Sequence, residues 1–150
     1  MNEFDNLGLS AGLVKALEDA GITSPTDVQA KAIPLVLEGK DVLGSSATGS
    51  GKTIAFGAGI IEKINSGQGI QALILTPTRE LAEQIGKNLS RYSKHVGLRV
   101  LEIYGGVSIE PQKHALRTAD IVVGTPGKIL YHMQNTKAFA YSNIKHLVMD

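Results

Sequence analysis

Eight residues, Ser46 to Thr53 (SATGSGKT), restrict this chain more than any other segment. Gly49 and Gly51 have no Cβ, so the backbone there is free to take positive φ and to turn successive N–H groups into a concave anion cradle. In such a loop Lys52 brings a compact charge to the β and γ phosphates of a nucleotide, and the Thr53 hydroxyl ligates the bridging Mg²⁺. Ser46, Ala47, Thr48 and Ser50 are small enough to let phosphates come close. Ser46 stands where the usual pattern opens with Gly or Ala, and being small it preserves the turn. The motif requires a strand before it and a helix after it. Asp41 to Ser45 (DVLGS) reads as that strand, and Ile54 to Ile64 is apolar enough for the helix. A glycine-serine connector is the competing explanation, but it would need neither Lys-Thr at its end nor apolar elements around it.

Beyond the loop the chain alternates strand and helix with little between. Gln71 to Thr76 (QALILT) is a strand stopped by Pro77, and Glu80 to Ser93 carries Leu81, Ile85 and Leu89 on one helical face. Leu98 to Tyr104 is a strand closed by Gly105-Gly106, followed by a helix over Ile109 to Arg117. Ile121 to Gly124 is a strand, Gly127 to Asn135 a helix, and Leu147 to Asp150 a further strand. Five short apolar strands without hairpin signals predict a mostly parallel sheet with helices on both faces, in one α/β unit with a helical preamble. In such sheets ligands bind beyond the carboxyl ends of the strands. Ser45 to Thr53, Thr76 to Arg79, Tyr104 to Gly106, Thr125 to Lys128 and Asp150 all follow strand ends, so they are expected on one rim.

Composition narrows the setting. With 150 residues and 43% hydrophobic content, one domain with its own core is expected. There is no cysteine, which excludes a disulfide, a thiolate zinc site or a catalytic thiol. The longest apolar runs fall far below the roughly 20 residues of a membrane helix, so no membrane partner is expected. The opening MNEFDN lacks an apolar signal region, which makes the cytoplasm the default. Net charge is +1 and the fifteen Lys and Arg are scattered, so charge alone makes no case for a nucleic-acid partner. Arg91, Lys94 and His95 read as a solvated helix terminus, where cations meet the negative dipole end.

Several motifs remain: GITSPTDVQ from Gly21 to Gln29, PTRELAEQ from Pro77 to Gln84, Gly105-Gly106, TPGK from Thr125 to Lys128, and VMD at Asp150. In order and spacing, together with SATGSGKT, this resembles the first RecA-like domain of DEAD-box RNA helicases over nearly the whole chain. The resemblance implies a RecA-like P-loop NTPase fold, incomplete at its C-terminus. Residues 1–30 would form the helical adenine-recognition (Q motif) segment and residues 31–150 part of the first RecA-like domain, with a second such domain outside this chain. It implies ATP and Mg²⁺ as cofactors. Gln29 would hydrogen-bond adenine, whose N6 and N7 edge needs the donor and acceptor that an amide offers. Phe4 would stack on the base. Pro77, Thr78, Arg79, Gly105, Gly106, Thr125, Pro126, Gly127 and Lys128 would hold the sugar-phosphate backbone of single-stranded RNA or a short RNA duplex through backbone amides and helix N-termini. Lys128 replaces the family's usual arginine, keeping the charge without the planar fork.

Plainer explanations stand beside these. Gln29 also suits an amphipathic helix starting near Thr26, Phe4 also suits a packing role, and the Pro and Gly positions also suit tight turns. Asp150, at the end of an apolar strand, is the carboxylate expected in the Mg²⁺ shell. In the family a glutamate that polarises water comes next, so we expect a piece of a longer ATP-dependent RNA helicase that binds ATP without turning it over. The family also draws the strand between the loop strand and the Asp150 strand from later sequence, so exposed sheet edges and poor folding are expected. A P-loop kinase or GTPase would share Lys52 and Thr53, but leaves Gln29 and PTRELA unexplained. A non-catalytic RNA clamp and a related DNA helicase remain open.

Overall fold

The computed structural model describes residues 2–45, 51–106 and 108–150. Its chain forms two compact units, residues 1–64 with 91–97 and residues 65–90 with 98–150.

The first unit is helical. A 3-10 turn, Glu3–Leu7, is capped by Asn2, whose side chain accepts the Phe4 N–H. Helix α1 (Ala11–Asp19) buries Leu13, Val14 and Leu17 on one stripe. Helix α2 (Asp27–Leu37) opens on a capping box: Thr26 accepts the Gln29 N–H, and Gln29 accepts the Thr26 N–H. Each side chain thereby satisfies an N–H that the helix start leaves unpaired. Helix α3 (Lys52–Lys63) lies hard against α2, and a Cβ at Gly59 would fall 2.6 Å from a Val36 methyl. Lys94 and His95 reach Asp19 at the end of α1, 3.2 Å and 2.9 Å away. With Lys15 they hold the Asp19 carboxyl well below the usual carboxylate range, His95 contributing most. Thus two of the cations expected at a solvated helix end are instead paired with a carboxylate.

The second unit is a parallel sheet of β1 (Ala72–Leu75), β2 (Val100–Ile103), β3 (Ile121–Gly124) and β4 (His146–Met149), in the order β2-β3-β1-β4. Around it run α4 (Arg79–Tyr92, its last two residues belonging to the first unit), α5 (Ile109–Ala115) and α6 (Pro126–Asn135). Strand alternation sends Leu73, Ile103 and Val122 to one face, where Ile129 of α6 joins them in a core with Leu116 and Phe139. Glu102 points to the other face, against Gly86 of α4. Helices therefore cover both faces, as the unbroken apolar strands required.

One expected strand is missing. Residues 41–45 form neither strand nor helix, and all five are exposed. Val42 and Leu43 carry strand propensity, but a strand exists only where a neighbour completes its hydrogen-bond ladder, and no described residue does so here. The described sheet has four strands rather than five. Its edge strand β4 exposes Leu147 (59%) and Met149 (77%). Among the described residues no helix is long and apolar enough to cross a membrane.

Candidate functional site

In the first unit the site is assembled around the start of α3. Ser46, Ala47, Thr48, Gly49 and Ser50 lie outside the described residues. Gly51 follows in the left-handed region at φ 76°, and Lys52 and Thr53 are the first residues of α3. Among the described residues no side chain caps this helix. The first N–H groups and positive dipole end of a helix suit an anion such as a nucleotide phosphate. Lys52 and Thr53 are partly exposed, within reach of solvent.

Gln29 is 2% exposed, and its amide is already occupied. Oε1 accepts the Thr26 N–H at 3.0 Å and Nε2 donates to the Gly51 carbonyl at 3.1 Å. The Q-segment glutamine is therefore tied to the end of the glycine loop, and a Cβ on Gly51 would collide with its amide. Each end of the amide makes only one bond, so Nε2 keeps a second N–H and Oε1 a second lone pair for an adenine edge. Phe4 is 0% exposed, so the expectation that it offers a ring face to a base does not fit this geometry. Its ring is packed into the helical core, because an aromatic ring near a terminus gains more from burial than from solvent. A groove of about 480 Å³ runs beside the start of α2, lined by Thr26, Asp27, Val28, Lys31, Ala32, Leu35 and residues 42–45; neither Gln29 nor Phe4 lines it.

In the second unit the parallel register gathers the rest. Ile103, Gly124, Leu75 and Met149 stand abreast at the ends of the four strands. The next residues are pinned across the ladder: Thr125 N–H to Ile103 O, Thr76 N–H to Gly124 O, and Asp150 N–H to Leu75 O. One rim of this unit accordingly carries Pro77, Thr78 and Arg79, the Gly105-Gly106 turn, Thr125 to Lys128, and Asp150. Pro77, Thr78, Arg79, Gly105, Gly106, Pro126, Gly127 and Asp150 are exposed, and Thr125 and Lys128 are half-buried. The Thr78 hydroxyl accepts the Leu81 N–H, capping the start of α4, and Pro126 is the first residue of α6. Lys128 lies over the Tyr131 ring at 4.7 Å.

Tyr104, expected on this rim from its place at a strand end, lies outside the motifs and ties the turns together. Its ring lies under the Arg79 guanidinium at 4.8 Å, its hydroxyl donates to Glu83 at 2.9 Å, and its carbonyl accepts from Gln112 at 3.3 Å. The Glu83 bond pushes the phenol pKa up from its ordinary value. Gly106 has φ 84°, and a Cβ there would come 2.8 Å from Arg79 Nη1, so the turn and the guanidinium share one small space. Among the described residues no group of three or more His, Cys, Asp or Glu is placed to hold a metal. Such a cage is not needed for Mg²⁺, which commonly takes one or two protein oxygens and completes its shell with water and phosphate.

The family model of the DEAD/DEAH box helicases matches residues 26–150, from the α2 cap through the rim to Asp150. Two curated relatives, each a DEAD-box ATP-dependent RNA helicase CshA, come from Bacillus cereus and Bacillus thuringiensis. Both are 42% identical over 152 aligned positions, covering all of this chain and 29% of their own length. The chain therefore spans less than a third of these relatives. Among solved structures, a DEAD box protein from Methanococcus jannaschii superposes with a TM-score of 0.92 at 42% identity, over 98% of this chain and 40% of that one. A hypothetical ATP-dependent RNA helicase from Sulfolobus tokodaii gives 0.85 at 34% identity, over 95% and 41%. A family model that spans the cap, both helix starts and the rim, with relatives this similar in sequence and in backbone, shows that the chain has their RecA-like α/β fold and belongs to the DEAD/DEAH box helicase family.

Proposed function

We propose that this chain is the ATP-binding and strand-gripping portion of an ATP-dependent RNA helicase. The rim of the second unit carries this reading. Three turns of different sequence follow three adjacent parallel strands, in register and mostly exposed, and they carry Arg79 and Lys128 and no carboxylate. Such a surface grips phosphates without reading bases, which reconciles strand binding with a net charge of only +1. Arg79 and Lys128 supply the charges, while Gly105 and Gly106 let a backbone approach where a Cβ would obstruct.

The first unit supplies the nucleotide side. The open start of α3 receives phosphates, Lys52 neutralises them, and the Thr53 hydroxyl offers one oxygen to Mg²⁺. In the second unit Asp150 carries an exposed carboxylate, a group that by itself suits a Mg²⁺ shell. Bound Mg²⁺ would supply charge neutralisation across the phosphate oxygens. Gln29 reads adenine with its second N–H and second lone pair while keeping the Thr26 and Gly51 bonds, so one side chain joins the base to the end of the loop. ATP binding then favours the state that clamps RNA, and loss of the nucleotide's terminal phosphate favours release, with local strand separation as the outcome.

Lys52→Ala in the full-length protein should abolish nucleotide-dependent retention of single-stranded RNA. Retention equal to that of the unaltered protein would sink the assignment.

A further inference from the structure

Beneath the rim of the second unit lies a buried polar chain that none of the sequence motifs contains. His132 of α6 is 0% exposed, with Nε2 2.9 Å from Gln112 Oε1 and Nδ1 2.8 Å from Thr136 Oγ1. Gln112 of α5 is also buried, and its Nε2 donates to the Tyr104 carbonyl. These facts fix the direction of every bond. Because the Gln112 amide nitrogen serves Tyr104, its oxygen must accept, so the imidazole proton resides on Nε2. Nδ1 then carries a lone pair and accepts the Thr136 hydroxyl. The donors run one way, from Thr136 through His132 and Gln112 to Tyr104, and such aligned chains strengthen each member. Burial, with Lys128 and Lys113 nearby, lowers the imidazole pKa and keeps the neutral form that this chain requires.

The far end of this chain is the peptide that leads into Gly105-Gly106. Tyr104 is also the residue that supports Arg79 from below and bonds Glu83. One residue therefore joins two strand-facing turns, while His132 lies on the helix whose first turn is the third.

We propose that Gln112 and His132 are positioning residues for RNA binding: they hold the Tyr104 carbonyl from beneath and so set the Gly105-Gly106 turn and the adjoining Arg79 for a sugar-phosphate backbone. This rests on the reading of the rim as an RNA surface. Neither side chain touches the strand. Their effect is carried by the backbone of the turn, which has no side chains of its own to anchor it.

The test uses the full-length protein with Gln112→Leu, His132→Leu and His132→Gln. The last keeps an amide able to donate to Gln112. Three quantities are read: amide hydrogen exchange at Gly105 and Gly106, affinity for a short oligouridylate with a nonhydrolysable ATP analogue, and affinity for the analogue alone. Both leucine variants should exchange faster at the turn and bind RNA about tenfold more weakly, the equivalent of one buried hydrogen bond. Analogue affinity should stay within about twofold, a change too small to count as loss of a hydrogen bond. His132→Gln should restore exchange and RNA binding together, which a loss of packing would not predict. Should either leucine variant fail to fold, Gln112→Glu replaces it, since that change keeps an acceptor for His132 and replaces the donor to Tyr104 by an acceptor oxygen that cannot hold the carbonyl. Unchanged exchange in the folded variants overturns the positioning role. Faster exchange with undiminished RNA affinity overturns the RNA role of the turn. If the unaltered protein does not retain oligouridylate at all, the proposed function falls, while the exchange measurements still decide whether the two residues set the turn.

Discussion

Gln29 performs two separable jobs, and replacing it distinguishes them. Its oxygen closes the capping box with the Thr26 N–H, and its nitrogen reaches the Gly51 carbonyl. That carbonyl also accepts the Ala55 N–H of α3 at 3.0 Å, so it keeps a partner when the glutamine is lost. Each lost bond is therefore worth the ordinary net figure of about 1 kcal/mol, rather than the larger penalty for orphaning a buried acceptor. Gln29→Ala removes both and should cost at least about 2 kcal/mol, the gap left by the buried side chain adding to the two bonds. Gln29→Glu retains the capping box, because a carboxylate accepts the Thr26 N–H and suits a helix N-terminus. It replaces the donor to Gly51 by an acceptor oxygen, a cost that the favourable charge at the helix start offsets in part, and should cost about 1 kcal/mol. Urea denaturation followed by circular dichroism reads both, as shifts in midpoint at constant slope. Equal destabilisation by the two variants would refute the division of labour. No destabilisation by Gln29→Ala would refute the claim that the amide ties α2 to the loop end.

Asp120 is 1% exposed and accepts the Gly67 and Arg99 N–H groups at 3.0 and 2.8 Å, so Asp120→Ala should orphan both and cost about 2–4 kcal/mol, measured by the urea midpoint. Burial, and then the neighbouring Glu83, raise the Glu102 carboxyl pKa. The stability of the unaltered protein attributable to this group is therefore full below the ordinary carboxyl value and is lost as pH rises through the higher folded value. Glu102→Gln should stabilise the fold at pH 7 and not at pH 4, by less than about 1 kcal/mol because the group is partly solvated, read as a rise in melting temperature; equal effects at both pH values would count against it. His132 has the opposite dependence: its folded pKa is depressed, so stability is full above about 6.5 and declines as pH falls below that value toward the folded one. Removing the imidazole with His132→Gln should flatten that decline in a series of melts, and an unchanged decline would exclude His132 as its source.

The sequence determined the class of fold and the places where chemistry gathers. The runs at Leu73, Leu101 and Val122, punctuated by Pro77, Gly105 and Pro126, are local signals, and parallel strands separated by helices leave few ways to arrange them. The register then brings the rim turns together, as the motifs implied. Periodicity also placed α4 and α6 to within a residue or two, because each carries its apolar stripe in its own sequence. What local signals could not reveal depends on partners distant in sequence. Residues 41–45 have a strand's composition but no ladder, so composition alone misjudged them. Phe4 could equally have stacked on a ligand or filled a core, and only packing chose the core. Gln112 and His132 read as ordinary helix residues, since twenty positions separate them and nothing in either neighbourhood marks the other. Side-chain pairing across elements is a property of folded space, where burial makes a satisfied polar chain worth keeping and an unsatisfied one costly. The sequence thus marked which turns share the rim, and the tertiary structure decided what holds them there.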